Sequence, residues 1–321
     1  MKGIQFLIII SLFFLLIFGI VNSRSIVEYT TFEVFDSVSQ WEKIVDDYAN
    51  EHNIAPIEPK VDRIWKLIPG YNGLIVDKKA TLTLIKEQKP ISIDDIKYVW
   101  KEVEPKKKLE DLGAYPIYRG NPAKPMVSFM INVAWGTEYL DQILEILKNE
   151  NVKATFFVDG SWLKKNSDLA QRIVVEGHEI GNHAYSHPRL SRLTRDRIRQ
   201  EIVRTEELIR SITNQSSAFF APPAGDYDQR VVEIANNMNL KTVLWTVDTI
   251  DWQKPSPQTI INRIIKKVDN GNLILMHPTK PTVDALPTLI KEIKKKGLKI
   301  GTVKKTLSTK RVLDIESPVK F

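Results

Sequence analysis

Short apolar runs alternate with amphipathic segments over residues 126–303, and this alternation limits the fold more than any other feature of the chain. Residues Val127–Ala134 and Ala154–Val158 are mostly apolar runs, which are typical of strands buried on both faces. Between them, apolar residues recur at the helical spacing i, i+3, i+4, i+7, at Leu140, Ile143, Leu144 and Leu147. The pattern therefore indicates strands alternating with helices, as in a parallel sheet.

Later elements continue the alternation. Further strands are predicted over Lys241–Val247, Asn272–Met276 and Lys299–Val303. A long helix is predicted from the inner stripe Ile198, Ile202, Thr205 and Ile209, with Thr194 as its N-cap. Two more helices are predicted over Pro257–Val268, capped by Ser256, and over Leu286–Lys295. The pattern leaves open whether the sheet is flat or closed into a barrel. In such folds chemistry takes place at the carboxyl ends of the strands.

The N-terminus indicates export. Residues Ile4–Val21 are almost wholly apolar, with Lys2 before them and Arg24 after them. As a helix these eighteen residues would span about 27 Å, close to the thickness of a bilayer's hydrocarbon core. The same run also suits a signal peptide, with Val21-Asn22-Ser23 as a cleavage site. We expect residues 1–24 to act as a membrane anchor or a cleaved signal, and the rest of the chain to be extracytoplasmic.

Composition shifts divide the remaining chain. Residues 25–115 are predicted to form a small α+β region, with an amphipathic helix over 38–48 and a second short helix at Asp94–Trp100. A linker is predicted at 116–125, where prolines bracket Arg119-Gly120-Asn121. The main domain is expected over 126–310, followed by a tail at 311–321. The function of residues 25–115 is not evident from their sequence.

Charge and cysteine content exclude some classes of function. The chain has no cysteine, so thiolate ligands, disulfides and cysteine nucleophiles are ruled out. A formal net charge of +7 suits an anionic cell envelope or membrane surface, or a solvated basic surface without a partner. No nucleic-acid motif accompanies this charge, so we expect no nucleic-acid partner. The oligomeric state is not predictable.

His183-Ala-Tyr-Ser-His187-Pro188 places two imidazoles four residues apart, where they can face one metal ion. Imidazole suits zinc and similar divalent ions, and the remaining ligands usually come from distant segments. The alternative is a hydrogen-bonded histidine pair that braces a loop.

Five segments in order carry a resemblance to a known family. They are Ile131–Gly136, His183–Pro188, Phe220–Gly225, Trp245–Trp252 and Leu275–His277. Together they resemble the NodB-type polysaccharide deacetylases of carbohydrate esterase family 4, over roughly Met126–Val303. Trp135-Gly136 and the apolar N-terminus are most similar to the branch linked to endospore formation. The resemblance implies a deformed (β/α) barrel and metal-assisted removal of acetyl groups from N-acetylated sugars of the cell wall or spore.

The resemblance also implies roles for individual residues. His183 and His187 match the metal ligands, and Ser186 matches a hydroxyl that steadies the second of them. His277 matches the general acid, and Asp251 the carboxylate that orients it. The remaining matches concern substrate contacts: the backbone N–H of Ala224 for the oxyanion, Trp252 and Leu275 for the pocket walls, and Trp135 for either sugar stacking or packing.

Three positions depart from the family pattern. Asn132 stands where the family has its catalytic base, and Val133 where it has a third metal ligand. Ala221 replaces the arginine that pairs with the base. An amide cannot accept a proton from water at neutral pH, and an isopropyl group cannot bind a metal. These losses are consistent with each other, because an unpaired buried charge costs about 3–5 kcal/mol. We therefore expect weakened binding of a divalent metal.

Other polar residues have simpler interpretations. His178 is expected in the core, His52 on the surface, and Asp248 as a brace for the loop after its strand. Asp159 and Asp226 lie near the predicted mouth, as either a substitute base or surface acids.

Three functions remain open on the sequence. The first is a membrane-tethered amidohydrolase of cell-wall glycan with weak activity. The second is an inactive glycan-binding pseudoenzyme of the sporulation envelope. The third is a scaffold whose partner surface lies in residues 25–115.

Overall fold

The structure, a computed structural model, describes residues 39–88 and 92–316. The apolar run Ile4–Val21 lies outside these ranges, so the expected N-terminal helix is not described. Within the described ranges no helix has the length and apolarity needed to cross a membrane. The chain forms two compact units. The smaller contains the described residues up to Ala55 and those of Leu74–Lys101, and the larger contains Pro56–Gly73 and the residues from Glu102 onward. The boundaries predicted at 115 and 126 stay predictions.

The smaller unit is built on two helices. Helix α1 spans residues 39–52 and α2 spans Lys78–Gln88. Its core consists of the buried residues Val45, Ala49, Val76, Ile85 and Ile96. Strands β3 (Gly73–Val76) and β4 (Trp100–Val103) pair with each other. The helix expected at Asp94–Trp100 is wrong, because only Ile93–Asp95 form a 3-10 turn and Trp100 already begins a strand.

The larger unit contains the alternating elements. Strands β1 (Lys60–Asp62) and β2 (Lys66–Ile68) form an antiparallel hairpin. The strands of the parallel sheet are β5 (Met126–Val133), β6 (Thr155–Val158), β7 (Glu179–Asn182), β8 (Phe219–Phe220), β9 (Lys241–Thr242), β10 (Val247–Asp248), β11 (Leu273–Met276) and β12 (Lys299–Gly301). Their order is β10-β11-β5-β6-β7-β8-β9, with β12 also paired to β5.

Nine α-helices among the described residues of the larger unit connect the strands of the sheet or follow them. Those before β8 are α3 (Leu140–Asn149), α4 (Gly160–Lys165), α5 (Ser167–Val175) and α6 (Arg195–Thr213). Those after it are α7 (Gln229–Asn237), α8 (Pro257–Lys267), α9 (Lys280–Lys295), α10 (Val303–Leu307) and α11 (Leu313–Glu316). The predicted caps Thr194 and Ser256 accept from the N–H groups of Arg197 and Thr259.

The two ends of the sheet are consecutive in the chain. β9 pairs with β8, and β10 pairs with β11, while residues 243–246 lead directly from β9 to β10. The single strand expected over Lys241–Val247 is therefore wrong in detail, because this stretch forms two short strands, of which β9 pairs with β8 and β10 with β11. The result is an α/β fold with a curled parallel sheet, which agrees with the predicted class. The eight residues of β5 are all buried at its centre.

Candidate functional site

The carboxyl end of β5 places Asn132 and Val133 in the interior. Asn132 is 5% exposed, and its Oδ1 is buried without a hydrogen-bond partner among the described residues. Val133 is fully buried in the apolar core beside Val158 of β6. A neutral amide (Asn132) and a packed isopropyl group (Val133) thus stand where the family pattern has its catalytic base and its third metal ligand.

The loop after β7 carries the two histidines. The N–H of His183 donates to the carbonyl of Val158, 3.0 Å away, which fixes the loop against β6. Asn182 Oδ1 accepts from the Ala184 N–H at 2.9 Å. Ala184 and His187 both have left-handed backbone angles, with φ of 61° and 55°. Such angles are uncommon for residues other than glycine, so the loop adopts them only because its surroundings hold it there.

The two rings converge, and their state suits metal binding. Their centroids are 5.1 Å apart at an interplanar angle of 70°. His183 Nδ1 lies 2.7 Å from the carbonyl of Ala221. Because a carbonyl only accepts, Nδ1 carries the proton and Nε2 keeps its lone pair. Burial, aided by His187, lowers the pKa of His183 to about 3, so this ring is neutral at pH 7.

Glu201 of α6 is hydrogen-bonded to the loop that carries His183 and His187, called the histidine loop below. Its Oε2 accepts from the backbone N–H groups of Tyr185 and Ser186 at 3.0 and 2.8 Å. The Ser186 hydroxyl donates to the same carboxylate, at 3.0 Å from Oε1. Glu201 is 2% exposed. The Ser186 hydroxyl thus contacts Glu201, and its role in steadying His187 stays a prediction.

His277 and Asp251 form the expected pair. Nδ1 of His277 lies 2.8 Å from Asp251 Oδ1, and the His277 N–H donates to Oδ2 at 2.6 Å. The hydroxyl of Thr282 in α9 also donates to Oδ2, at 2.6 Å. Asp251 is fully buried, whereas the His277 side chain is 17% exposed. Asp251 thus orients a ring whose other nitrogen, Nε2, is the one left for a ligand.

Aromatic side chains lie at the rim. The Trp135 ring stacks on His277 with centroids 5.7 Å apart and planes 9° from parallel. Trp135 and Trp252 are 45% and 53% exposed, which leaves part of each ring open to solvent. Leu275 is buried in β11, and Ala224 is exposed with a left-handed φ of 53°. The roles predicted for these four residues stay predictions.

Gly136 brings the β5 and β11 loops together. A Cβ at this position would lie 2.0 Å from the carbonyl oxygen of Pro278, and φ is +76°. Both the close approach and the left-handed angle require glycine. The loop therefore sets the distance between Trp135 and His277.

The nearby aspartates have structural partners. Asp159 caps α4 by accepting from the Trp162 N–H at 2.7 Å, and burial raises the pKa of its carboxyl group. Asp226 accepts from the Ser191 N–H and hydroxyl at 2.8 and 2.9 Å. Asp248 accepts from the Ile250 N–H at 2.8 Å, as the expected brace of its loop. These contacts favour structural roles over a substitute base.

The donor set for a metal is incomplete. A catalytic zinc site uses three protein ligands and one open position. Here His183 and His187 supply two, and Val133 supplies none. No group of three histidines, cysteines, aspartates or glutamates that could hold a metal occurs in residues 39–88 and 92–316. The residues present therefore do not fit a complete catalytic metal site.

The remaining two histidines lie where they were expected. His52 is exposed, and its Nδ1 contacts the carbonyl of Tyr48. His178 is 4% exposed and accepts from the Ala154 N–H at 3.1 Å. Burial lowers the pKa of His178 to about 4.

Two site residues were missed in the sequence. Glu201 falls within the apolar stripe of α6, next to the buried Ile198, Ile202 and Thr205. An acidic residue on a buried helical face is a detectable signal for a charge with partners. Thr282 offered no such signal, because a threonine in the first turn of a helix is common.

Comparison with known proteins decides the family. The family model described as polysaccharide deacetylase matches residues 119–243. A Bacillus subtilis protein described as uncharacterized, YlxY, is 46% identical over 83% of this chain and 82% of its own length. A peptidoglycan-N-acetylglucosamine deacetylase of Bacillus cereus is 37% identical over 54% of this chain and 65% of its own length. The chain belongs to the polysaccharide deacetylase family.

A solved structure within this family is similar over most of the chain. It is the wild-type form of a CE4 family pseudoenzyme from Bacillus anthracis, with 44% identity and a TM-score of 0.77. The match covers 84% of this chain and 96% of the other. A mutant of that pseudoenzyme, described as having restored enzymatic activity, matches at 43% identity with a TM-score of 0.78, over 84% of this chain and 99% of the other.

Proposed function

We propose that this chain binds N-acetylated cell-wall glycan of the peptidoglycan type in a deacetylase-like cleft, and hydrolyses it little or not at all. The observation that carries the proposal is the neutral interior at the end of β5. Asn132 is buried, with no partner for its Oδ1 among the described residues, and Ala221 is buried at the position that the resemblance assigns to the base's partner. An amide cannot remove a proton from water at neutral pH, so the first step of amide hydrolysis lacks its base.

The electrostatics of the pocket support this proposal. His183 is buried and neutral, and Val133 provides packing rather than a ligand. The exposed Trp135 and Trp252 keep an aromatic surface on which a sugar ring can stack. The pocket thus lacks the charged groups that hydrolysis needs but has aromatic surface for a sugar. This combination favours glycan binding over hydrolysis.

A second candidate is slow hydrolysis of the same glycan, and the intact His277–Asp251 pair favours it. The pair has the geometry of a general acid held by a buried carboxylate. This candidate predicts acetate release that His277→Ala abolishes when divalent metal is supplied. Equal acetate from the chain and from His277→Ala would eliminate it.

We further propose that the chain is exported and held at the membrane or in the wall. The apolar run Ile4–Val21 and the similarity to peptidoglycan deacetylases support this. Assignment to the sporulation branch and to a scaffold role rests on sequence resemblance and on the separate N-terminal region. Both stay predictions.

Binding is tested with the soluble chain from residue 25 onward. We expect it to sediment with purified peptidoglycan and to bind N-acetylglucosamine oligomers by calorimetry, with no change after addition of a chelator. Trp135→Ala with Trp252→Ala should weaken this binding about thirtyfold, since each stacked aromatic contributes on the order of 1 kcal/mol. Tyr115→Ala is the control, because Tyr115 is similarly exposed but lines a different pocket with Leu109 and Leu240. Binding that the chelator abolishes would contradict the proposal.

The missing base is tested by rebuilding the charged site. The triple variant Asn132→Asp, Val133→Asp and Ala221→Arg supplies a base, a third ligand and the base's partner. We expect stoichiometric zinc by metal analysis and acetate release well above that of the unchanged chain. His277→Ala in the triple background should keep the metal and lose the acetate. Asn132→Asp alone should gain little, because it buries a carboxylate without a counter-charge. No rise in metal or acetate with the triple variant would mean that the neutral positions do not limit activity.

A further inference from the structure

The segment that follows the histidine loop is strongly basic. Between His187 and Gln200 it contains one acidic residue, Asp196, and five arginines, at positions 189, 192, 195, 197 and 199. All five arginines are exposed. Positive charges outnumber negative ones five to one in this segment, which begins two residues after a site histidine.

Several of these guanidinium groups have no protein partner. Arg195 pairs with Glu233, and Arg197 contacts Gln200. The side chains of Arg189, Arg192 and Arg199 make no hydrogen bond, ion pair or ring contact with any residue that the structure describes. Their forked donors are therefore available to a ligand.

Hydrogen bonds attach this segment to the residues that follow β8. Ser191 donates to Asp226 through its N–H and its hydroxyl, and Arg230 donates to the carbonyls of Ser191 and Leu193. Asp226 lies two residues beyond Ala224, in the loop after β8. The arginine segment is thus tied to one wall of the site by four hydrogen bonds.

A second basic element lies beside it. The N–H groups of Gly160 and Ser161, at the start of α4, donate to the carbonyls of Ala184 and Tyr185. The same helix ends in Lys164 and Lys165, which are exposed and have no ion pair among the described residues. Arg204 lies over the Tyr185 ring, with its guanidinium carbon 3.6 Å from the ring centroid. Arg204 therefore lies against the histidine loop, and Lys164 and Lys165 follow in the helix whose start is hydrogen-bonded to it.

The rim is chemically divided. Trp135 and Trp252, from the loops after β5 and β10, offer aromatic faces for sugar rings. The segment after β7 offers guanidinium groups, whose planar fork matches carboxylate and phosphate. A neutral N-acetylglucosamine polymer would use only the first of these surfaces.

We propose that Arg189 and Arg192 bind an anionic substituent carried by the glycan that occupies the cleft. This inference rests on the proposed function and names its substrate class, an N-acetylated glycan with acidic groups. The acidic group is a carboxylate of the lactyl ether or peptide stem on the sugar, or a phosphodiester of a polymer attached to the wall. Both would meet the same arginines, because both are planar or tetrahedral oxyanions that accept from a guanidinium.

The test compares matched ligands on the soluble chain. Calorimetry uses N-acetylglucosamine oligomers, oligomers that alternate N-acetylglucosamine with N-acetylmuramic acid, and wall fragments with and without their phosphodiester polymer. Arg189→Gln with Arg192→Gln should weaken binding of the acidic ligand by about tenfold, which corresponds to about 1.4 kcal/mol. It should leave binding of the neutral oligomer unchanged. Raising the salt concentration should weaken only the binding of the acidic ligand.

The control removes two charges elsewhere. Arg210 and Lys267 are exposed residues near the C-terminal ends of α6 and α8. These helix ends precede the starts of β8 and β11, so they lie at the edge of the sheet opposite the site. The control variant is Arg210→Gln with Lys267→Gln. It should leave both affinities unchanged.

The outcomes are separable. A loss confined to muramic oligomers identifies the carboxylate, and a loss confined to polymer-bearing wall identifies the phosphodiester. Equal losses in the control, or no loss in Arg189→Gln with Arg192→Gln, would overturn the inference while neutral-glycan binding still stands. Failure of the unchanged chain to bind any glycan would instead overturn the proposed function.

Discussion

Single residues in strained backbone conformations determine the shape of the cleft. Of the non-glycine residues with positive φ, Ala184, His187, Ala224 and Ile250 lie in its loops. Ile250 is the least expected, because a β-branched side chain is disfavoured at a φ of 53°. Its N–H is held by Asp248, and it directly precedes Asp251. The strain is retained because it positions the carboxylate that orients His277.

A buried histidine makes stability depend on pH. His178 has a pKa of about 4 in the folded protein because it is buried, against an ordinary value near 6.5. As the pH falls from 6.5 toward 4, the unfolded chain binds a proton that the folded chain excludes. Stability should therefore fall by about 1.4 kcal/mol per pH unit from this group. The loss should be complete below about pH 4, where the folded chain also binds the proton.

The measurement is urea unfolding of the soluble chain at several pH values. His178→Asn, which keeps an acceptor for the Ala154 N–H, should reduce the slope of stability against pH between 6.5 and 4.5. His52→Asn, at an exposed histidine, is the control. An unchanged slope in His178→Asn would show that this group does not carry the linkage.

At the scale of elements, predictions succeeded where local signals agreed. α6 and α8 begin at the caps read from the sequence, because Thr194 and Ser256 precede clear helical stripes. α9 was predicted from Leu286 but begins at Lys280, since Pro281 suits the first turn and Pro287 is tolerated inside the helix. The helix was predicted to start too late, because its two prolines argue against a helix before Leu286.

Helix α6 and the histidine loop should behave as one unit through Glu201. Glu201→Gln replaces a carboxylate that accepts from two backbone N–H groups and one hydroxyl. The amide presents an N–H₂ where acceptors are needed, so we expect a loss of about 1–3 kcal/mol in stability. Hydrogen exchange should accelerate in residues 183–189.

The matched control is Glu207→Gln, an exposed residue of the same helix. It should change neither stability nor exchange in the loop. Faster exchange spread evenly over the whole chain would count against a local role for Glu201.

At the scale of the molecule, the sequence predicted which residues meet but not how each is held. The alternating pattern brought His183, His187 and His277 to the carboxyl ends of the strands, because parallel strands share that edge. The partners Glu201 and Thr282 depend on packing between helices and loops. No periodic pattern records such contacts, which explains why Glu201 and Thr282 were not predicted.

The end of the described chain is part of the larger unit. Arg311 Nη2 donates to Glu316 Oε1 at 2.6 Å, and Arg311 Nη1 donates to the Asn72 carbonyl at 3.0 Å. Glu316 also accepts from the Tyr71 hydroxyl. The side chains of Arg311 and Glu316 are only 9% and 13% exposed. Residues 311–316 are thus bonded to residues far away in sequence, which a boundary at 310 would not suggest.

Arg311→Met should therefore destabilise the chain more than a surface change does. The substitution leaves Glu316 nearly buried without its cation, and breaking such a pair costs about 3–5 kcal/mol. Lys310→Met, at the exposed neighbour, should cost less than about 0.5 kcal/mol. Arg311→Met with Glu316→Leu should recover part of the loss, because it removes the stranded carboxylate. Thermal and urea unfolding of the four proteins measure these differences. A double variant no more stable than Arg311→Met would show that packing and the bond to Asn72, rather than the ion pair, account for the loss.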